Sequence, residues 1–337
     1  MAPVTIGVAG AGRIGSAHAA ALARLSEVER VLVADVDADR AAKLAADLGV
    51  EAVADVTALL ASDLTGLVVA TPTDTHPELV TRAVDEGVPV LCEKPLAADL
   101  AGTLSLLTRL EQREVPVQVG FQRRFDAGYR AARAAVADGR LGRVHSLRAT
   151  TLDPAPPPAD YLPHSGGIFR DCGVHDFDAL RWVSGREVVE VYARGANRGD
   201  AIFAACDDVD TAHVVLALDD DSLATVALTR YNGAGYDVRL EVLGSHGNVV
   251  VGLDGRTPLH SAEPGVPGPD RPHANFLDRF ADAYAEELAC FVRAATGQGP
   301  VLCPPRDALE AFYIAEACAL SRRAGRPVAV AEVRVAD

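Results

Sequence analysis

The feature that most constrains this chain is the turn Gly10-Ala11-Gly12-Arg13-Ile14-Gly15. It follows a β-branched apolar run at residues 4–9 and opens a helical pattern at residues 13–25. Glycines at this spacing permit a tight turn, close approach of the backbone to a pyrophosphate, and close helix–strand contact. The helix N-terminus behind them offers free N–H groups and a partial positive charge. The next apolar run, residues 30–34, ends at Asp35, twenty residues beyond Gly15, where an acid is placed to bind the adenine ribose hydroxyls. Strand, glycines, helix, strand and acid in this order predict NAD as cofactor. Gly10, Gly12, Arg13, Ile14 and Gly15 would lie around its pyrophosphate. Asp35 would repel a 2′-phosphate, which favours NAD over NADP; Val36 and Asp37 add no basic clamp for that phosphate.

The first 120 residues continue this alternation. Buried-strand runs at 66–70, 88–92 and 115–119 are separated by helical patterns at 38–48, 77–86 and 100–113. Strands alternating with helices of this length predict βαβ units and a parallel sheet covered on both faces. From about residue 143 the texture changes to long alternating runs at 143–151, 188–194, 211–218, 223–229 and 238–243, which suit an antiparallel sheet with one covered face. One helix, at about 171–183, interrupts them, and two more follow at 275–295 and 306–324. The stretches 153–158 and 261–272 are Pro-rich loops. A chain of 337 residues is long enough for two domains of roughly 100–200 residues each. The reading is α/β: a doubly wound parallel sheet at residues 1–122, then a second domain at 123–337, with packing of the final helix back on the first domain as the alternative.

With 32 basic and 47 acidic residues the net charge is −15. Such a chain is repelled by phosphate backbones and anionic lipid, so neither nucleic acid nor membrane is expected as a partner. Six cysteines, none in a C-x-x-C pair, fit a reduced cytoplasmic compartment. No signal segment or membrane span is expected.

Two constellations carry chemistry. Glu93-Lys94-Pro95 follows the run at 88–92. Ligands in open α/β sheets sit beyond the carboxyl ends of strands, so Lys94 should point into the cleft, with Pro95 restricting its backbone; a surface lysine at a strand end is the bland alternative. In the second constellation, Asp171, His175 and Asp178 are spaced i, i+4, i+7 and would share one helical stripe, with Val174, Phe177 and Leu180 on a core-facing one. A histidine between carboxylates is a plausible general base; a solvated polar face, or a metal site using Cys172 and His175, are the alternatives. Without a second Cys/His cluster no metal is expected. His18 and His213 read as structural or surface residues.

At this point the chain resembles the glucose–fructose oxidoreductase / inositol dehydrogenase / rhizopine-catabolism family. The resemblance is carried by Gly10 to Gly15, Thr71-Pro72-Thr73-Asp74-Thr75-His76, Glu93-Lys94-Pro95, and Gly166-Gly167 followed by Asp171 and His175. Gly120-Phe121-Gln122-Arg123-Arg124-Phe125-Asp126 and Asn232-Gly233-Ala234-Gly235-Tyr236-Asp237 narrow it toward bacterial inositol 2-dehydrogenases. The resemblance implies a Rossmann domain, a C-terminal α+β domain on a large, open, mainly antiparallel sheet, and a homo-oligomer, most simply a tetramer. It implies that Thr71, Pro72, Thr73, His76, Glu93 and Lys94 join the cofactor site. Lys94, Asp171 and His175 become the catalytic group, and Arg124, Asp153, Asp178 and Tyr236 join Lys94, Asp171 and His175 as substrate contacts. The expected reaction is NAD-dependent oxidation of a secondary hydroxyl of an inositol or related cyclitol. Aldoses, amino-sugars and aminocyclitols are the alternative substrates, and a non-catalytic NAD-binding regulator is the alternative class. One departure stands out: Thr151-Leu152-Asp153-Pro154 occupies a wall where inositol dehydrogenases tend to offer an amide.

Overall fold

The computed structural model describes residues 3–334; Met1, Ala2 and residues 335–337, at the outer ends of the two expected domains, lie outside the described residues. Thirteen strands and eleven α-helices occur among the described residues. The first half runs β1 (Thr5–Ala9), α1 (Arg13–Leu22), β2 (Arg30–Ala34), α2 (Ala38–Leu48), β3 (Glu51–Ala52), α3 (Val56–Leu60), β4 (Gly66–Val69), α4 (His76–Asp85), β5 (Val90–Glu93), α5 (Leu100–Leu110), β6 (Val117–Gly120) and α6 (Ala127–Ala137). The second runs β7 (Val144–Leu152), α7 (Val174–Ser184), β8 (Val188–Ala196), α8 (Ile202–Ala205), β9 (Thr211–Leu218), β10 (Leu223–Thr229), β11 (Asp237–Gly244), β12 (Asn248–Val251), α9 (Phe276–Arg279), α10 (Ala281–Ala295), α11 (Pro305–Ala324) and β13 (Val328–Ala329).

Two compact units result. The first comprises the chain up to Phe125 together with Asp282–Leu309; the second comprises Asp126–Ala281 and the chain from Glu310 onward. The first unit holds a six-stranded parallel sheet in the order β3-β2-β1-β4-β5-β6. This order reverses between β1 and β4, and in doubly wound sheets the ligand crevice opens at such a switch point, beyond the carboxyl ends of the strands. The strands are β-branched and buried on both faces: Ile6, Val8, Val33, Val68 and Leu91 have no exposed surface. Helix α10, distant in sequence, closes one face with Leu288, Phe291 and Val292. Gly66 leaves room for it, since a Cβ there would fall 2.9 Å from Phe291 Cζ. Burying a phenylalanine this fully stabilises by about 1.5–3 kcal/mol.

The second unit holds a seven-stranded sheet in the order β12-β11-β7-β10-β9-β8-β13. All its pairings are antiparallel except β7 with β10, which run parallel with Leu152 opposite Thr229. Strands β9 and β10 alternate strictly, with Ala212, Val214, Leu216, Ala224, Val226 and Leu228 buried. The opposite face stays open, with Val215 and Leu223 about half exposed.

Two helix expectations are corrected. The pattern at 275–295 is interrupted at Phe280, whose φ of −113° ends α9 before α10 begins. The helix expected at 171–183 starts as a π-helical turn, Phe169–Gly173, before α7. A π turn carries more residues per turn than an α-helix, so the residues before and after Val174 do not form one continuous α-helical stripe. Val174, Phe177 and Leu180 are buried as expected, but so is Asp178, at 1 % exposure.

Candidate active site

The glycine turn leaves β1 at the switch point. Gly10 adopts φ +101°, and a Cβ there would lie 2.5 Å from the Ala70 carbonyl oxygen. A Cβ at Gly15 would lie 2.0 Å from the Gly10 carbonyl oxygen. Both positions therefore require glycine for close backbone approach. The helix that follows, like α4, α7 and α8, lacks the side-chain cap that other helices carry. Helices α2, α3, α5, α6 and α9 are each capped by an aspartate or asparagine side chain at Asp37, Asp55, Asp99, Asp126 or Asn275, a contribution of about 1 kcal/mol each. Helix α1 begins at Gly12 with no side-chain cap, and Gly12 and Arg13 are exposed. Its first-turn N–H groups, with the N-terminal end of the helix dipole, suit a pyrophosphate.

Asp35 fixes this turn from below. Its Oδ2 accepts from Ala11 N at 2.7 Å and its Oδ1 accepts from Asp37 N at 2.9 Å and from Arg40 at 3.2 Å. Carboxylate oxygens have capacity for further donors, so ribose hydroxyls can still bind there. Arg40 was not legible as a neighbour of Asp35. It reaches both Asp35 and Asp37 from one turn into α2, so a basic group does stand beside the expected ribose ligand.

Beyond β4, the Thr71 and Thr75 hydroxyls bond each other at 2.6 Å, and Thr73 opens a 3-10 turn. Pro72 is exposed at this turn. His76 is buried, with Nδ1 2.8 Å from the Pro95 carbonyl and Nε2 2.9 Å from the Thr71 carbonyl. It ties the loop after β4 to the turn after β5, and its position is internal. Lys94 follows β5 directly, half-buried, with a cis Lys94-Pro95 peptide. Behind it Glu93 is buried and meets His18 Nε2 at 2.7 Å. His18 is fully buried and edge-on to Tyr284. Glu287 of α10, also fully buried, lies close enough to feel Glu93: burial first and then the Glu93 charge push its carboxyl well above the ordinary range. Arg124, an expected substrate contact, is buried and pairs with Asp307 at 2.6 Å.

In the second unit, Asp171 stands in the π turn and His175 one turn later in α7, both partly exposed. Asp171 accepts from Tyr161 Oη at 3.0 Å and from Arg230 at 2.7 Å. Asp153 accepts from the same arginine at 2.8 Å. Asp176, next to His175, is fully buried and accepts from the Thr151 hydroxyl at 2.8 Å. Asp178 and Tyr236 are buried, and the Tyr236 main chain is held by the His273 carbonyl at 2.9 Å. The glycine pair before the π turn is anchored by Asp208, whose Oδ1 accepts from Ile168 N at 3.0 Å; burial raises the Asp208 carboxyl above its ordinary value. Sequence reasoning missed Arg230. Among the described residues no group of three or more His, Cys, Asp or Glu could hold a metal ion, and no helix is long and apolar enough to cross a membrane.

Comparison with known proteins adds to this geometry. The family profile "Oxidoreductase family, NAD-binding Rossmann fold" matches residues 4–121, and "GFO/IDH/MocA C-terminal domain" matches residues 129–250. The myo-inositol dehydrogenase Hyg17 of Streptomyces leeuwenhoekii is 42 % identical over 97 % of this chain and 100 % of its own length. Among solved structures, a myo-inositol dehydrogenase from Corynebacterium glutamicum is 37 % identical with TM-score 0.89, covering 97 % of this chain and 98 % of that one. A scyllo-inositol dehydrogenase from Lactobacillus casei, solved with bound NAD(H) and scyllo-inositol, is 27 % identical with TM-score 0.88, covering 98 % of this chain and 99 % of that one. The parallel sheet with its glycine turn, the mixed seven-stranded sheet and these end-to-end matches lead to one assignment: the chain belongs to the GFO/IDH/MocA oxidoreductases and uses NAD as its cofactor.

Proposed function

We propose that this oxidoreductase converts a secondary hydroxyl of a cyclic polyol, an inositol or a related cyclitol, to the ketone. One observation carries the reading: the end-to-end match to enzymes named for inositol coincides with the presence of Lys94, Asp171 and His175. NAD, when bound, supplies the hydride acceptor. Gly10, Gly12, Arg13, Ile14 and Gly15 would hold its pyrophosphate and Asp35 its adenine ribose; Thr71, Pro72, Thr73 and Lys94 would border its nicotinamide half, with buried His76 and Glu93 bracing those loops from behind. His175 accepts the hydroxyl proton as the carbinol hydride departs, and a base titrating near neutral pH does this best. Lys94 donates to the reacting oxygen as negative charge develops there. Asp171 orients and charge-balances the pair. Arg124, Asp153, Asp178 and Tyr236 offer donors and acceptors together, which suits a neutral, hydroxyl-rich ring. A 2-hydroxy acid would bring its own carboxylate against the partly exposed Asp171.

A spectrophotometric screen of NAD and NADP against inositol isomers, aldoses, aminocyclitols, lactate and malate tests this. NADH formation should be fastest with a cyclitol. A faster aldose or aminocyclitol would reassign the substrate, and a faster hydroxy acid would overturn the reading. NAD binding without turnover of anything would favour a regulator.

The chain is further proposed to act in the cytoplasm, as its six free cysteines suggest, and as a homotetramer. The open face of the second sheet supports the latter, with Tyr192, Val215 and Leu223 exposed at 37 %, 48 % and 52 %. Apolar sheet surface of this kind on a soluble chain calls for cover by another copy. Light scattering that returned the single-chain mass of 35.2 kDa would contradict it.

A further inference from the structure

Strands β7 and β10 run parallel and end level, with Leu152 opposite Thr229. The residues that follow, Asp153 and Arg230, therefore leave the sheet side by side. The Asp153 main chain donates to the Thr229 carbonyl at 2.9 Å, and its own carbonyl accepts from Asn232 N at 2.7 Å. The Arg230 side chain is 3 % exposed and spans two carboxylates. One terminal nitrogen donates to Asp153 Oδ2 at 2.8 Å, the other to Asp171 Oδ2 at 2.7 Å. The second Asp171 oxygen is taken by Tyr161, and the Cys172 thiol donates to Asp153 Oδ2 at 3.4 Å. Burial pulls the guanidinium pKa down, and the neighbouring Cys172, Asp171 and Asp153 more than reverse this, keeping it well above the ordinary arginine value. The single guanidinium thus neutralises two carboxylates that converge on it.

We propose that Arg230 is a positioning residue for the oxidation: it holds Asp171 ionised and in one orientation on the turn that leads into His175, and it ties Asp171 to the Asp153 wall. The group that supports the base and a group that meets the substrate are thereby fixed as one unit. This inference rests on the reading of Asp171 and His175 as the proton-handling pair. The titratable groups facing Arg230 are Asp153, Tyr161, Asp171, Cys172 and, at longer range, Asp208.

The test compares Arg230→Gln and Arg230→Lys with the wild type in kcat, KM, the pH profile of kcat/KM, NAD binding and melting. Arg230→Gln should lower kcat by roughly 10²-fold, the scale of a misplaced catalytic group, and raise KM. Its acid limb should move to higher pH by about half a unit or more, because losing the cation leaves a more negative surrounding that holds the proton longer. Arg230→Lys keeps the charge but not the two-pronged geometry, so it should restore the acid limb and only part of kcat. NAD affinity should be unchanged in both. The His175 titration is read independently by NMR of histidine-labelled protein, with its signal identified by loss in His175→Ala; it should shift upward in Arg230→Gln. That readout needs no substrate. If the wild type oxidises no cyclitol, the activity reading fails while the NMR titration still decides the role of Arg230. If Arg230→Gln does not fold, Arg230→Lys decides, with kcat about tenfold below wild type expected and wild-type kcat overturning the proposal. A folded Arg230→Gln with lowered melting temperature but wild-type kcat, acid limb and His175 titration would overturn it too, leaving Arg230 a structural link only.

Discussion

Adding one methyl group at Gly12 or at Gly15 separates what the glycine turn does for the fold from what it does for NAD. Gly12 has φ −71° and ψ −170°, open to any L-residue, and an added Cβ would meet nothing within 4 Å. Gly12→Ala should therefore leave the melting temperature of the free chain unchanged, within about 0.5 kcal/mol of stability. At Gly15 the added Cβ falls 2.0 Å from the Gly10 carbonyl oxygen, where real contacts stay beyond 3.0 Å. Helix α1 and the turn must then part by about 1 Å, and overpacking of this kind costs about 1–3 kcal/mol. For a chain of this size each kcal/mol lowers the melting temperature by about 2–4 °C. In Gly12→Ala the exposed methyl holds the pyrophosphate off the helix N-terminus. Losing two charge-assisted hydrogen bonds at about 1.5–3 kcal/mol each weakens NAD binding by about 10²–10⁴-fold. Calorimetric titration with NAD, alongside differential scanning of the free chain, reads both effects. Gly12→Ala protein with unweakened NAD affinity would refute the placement of the pyrophosphate over α1.

Three further outcomes follow from other parts of the structure. Wild-type kcat/KM should favour NAD over NADP by at least about tenfold, or 1.4 kcal/mol, and Asp35→Ser should erode that ratio; equal efficiency with NADP in the wild type would remove Asp35 as the selector. Glu287, whose carboxyl is raised by burial and by Glu93, retains a proton in the folded chain that the unfolded chain releases above about pH 4.5. Stability is therefore lost as pH rises from the unfolded value toward the folded one, so Glu287→Gln should gain on the wild type by a few degrees in melting temperature between about pH 5 and pH 8; a pH-independent difference would contradict this. Lys94→Ala should lower kcat by roughly 10²-fold or more, as stopped-flow NADH formation would show.

Much of the first unit was legible because its signals are local. The glycine spacing, β-branched strands of buried type and Asp35 all lie within 35 residues of the start. What was not legible lies elsewhere: Leu288 and Phe291 reach that core, which spans Ile6 to Leu91, from roughly 200 to 285 positions further along the chain, and nothing in the periodicity of α10 says which sheet it covers. Helix α6 carried an overlooked signal, since Asp126 caps it and Tyr129, Ala132 and Ala135 form its buried face. The π turn at Phe169–Gly173 was not legible, because side-chain periodicity over five residues cannot separate it from an α-helix. Arg230 escaped for a topological reason. Its partners Asp153 and Asp171 are 77 and 59 residues away, and their meeting depends on the single parallel pairing, β7 with β10, in an otherwise antiparallel sheet. Arg40 was nearer, five residues from Asp35, but reaching back over a helix N-terminus leaves no mark in composition.

The most direct test of the account is single-turnover NADH formation from the cyclitol the wild type oxidises best, measured in His175→Ala across pH. The account predicts a rate lowered by roughly 10²–10⁴-fold, the contribution of a general base, loss of the acid limb that protonation of His175 gives the wild type, and unchanged NAD binding. The double variant with Lys94→Ala should fall far short of the product of the single effects if the two groups act on one oxygen. Near-wild-type turnover with the acid limb intact in His175→Ala would contradict the account and remove His175 as the base.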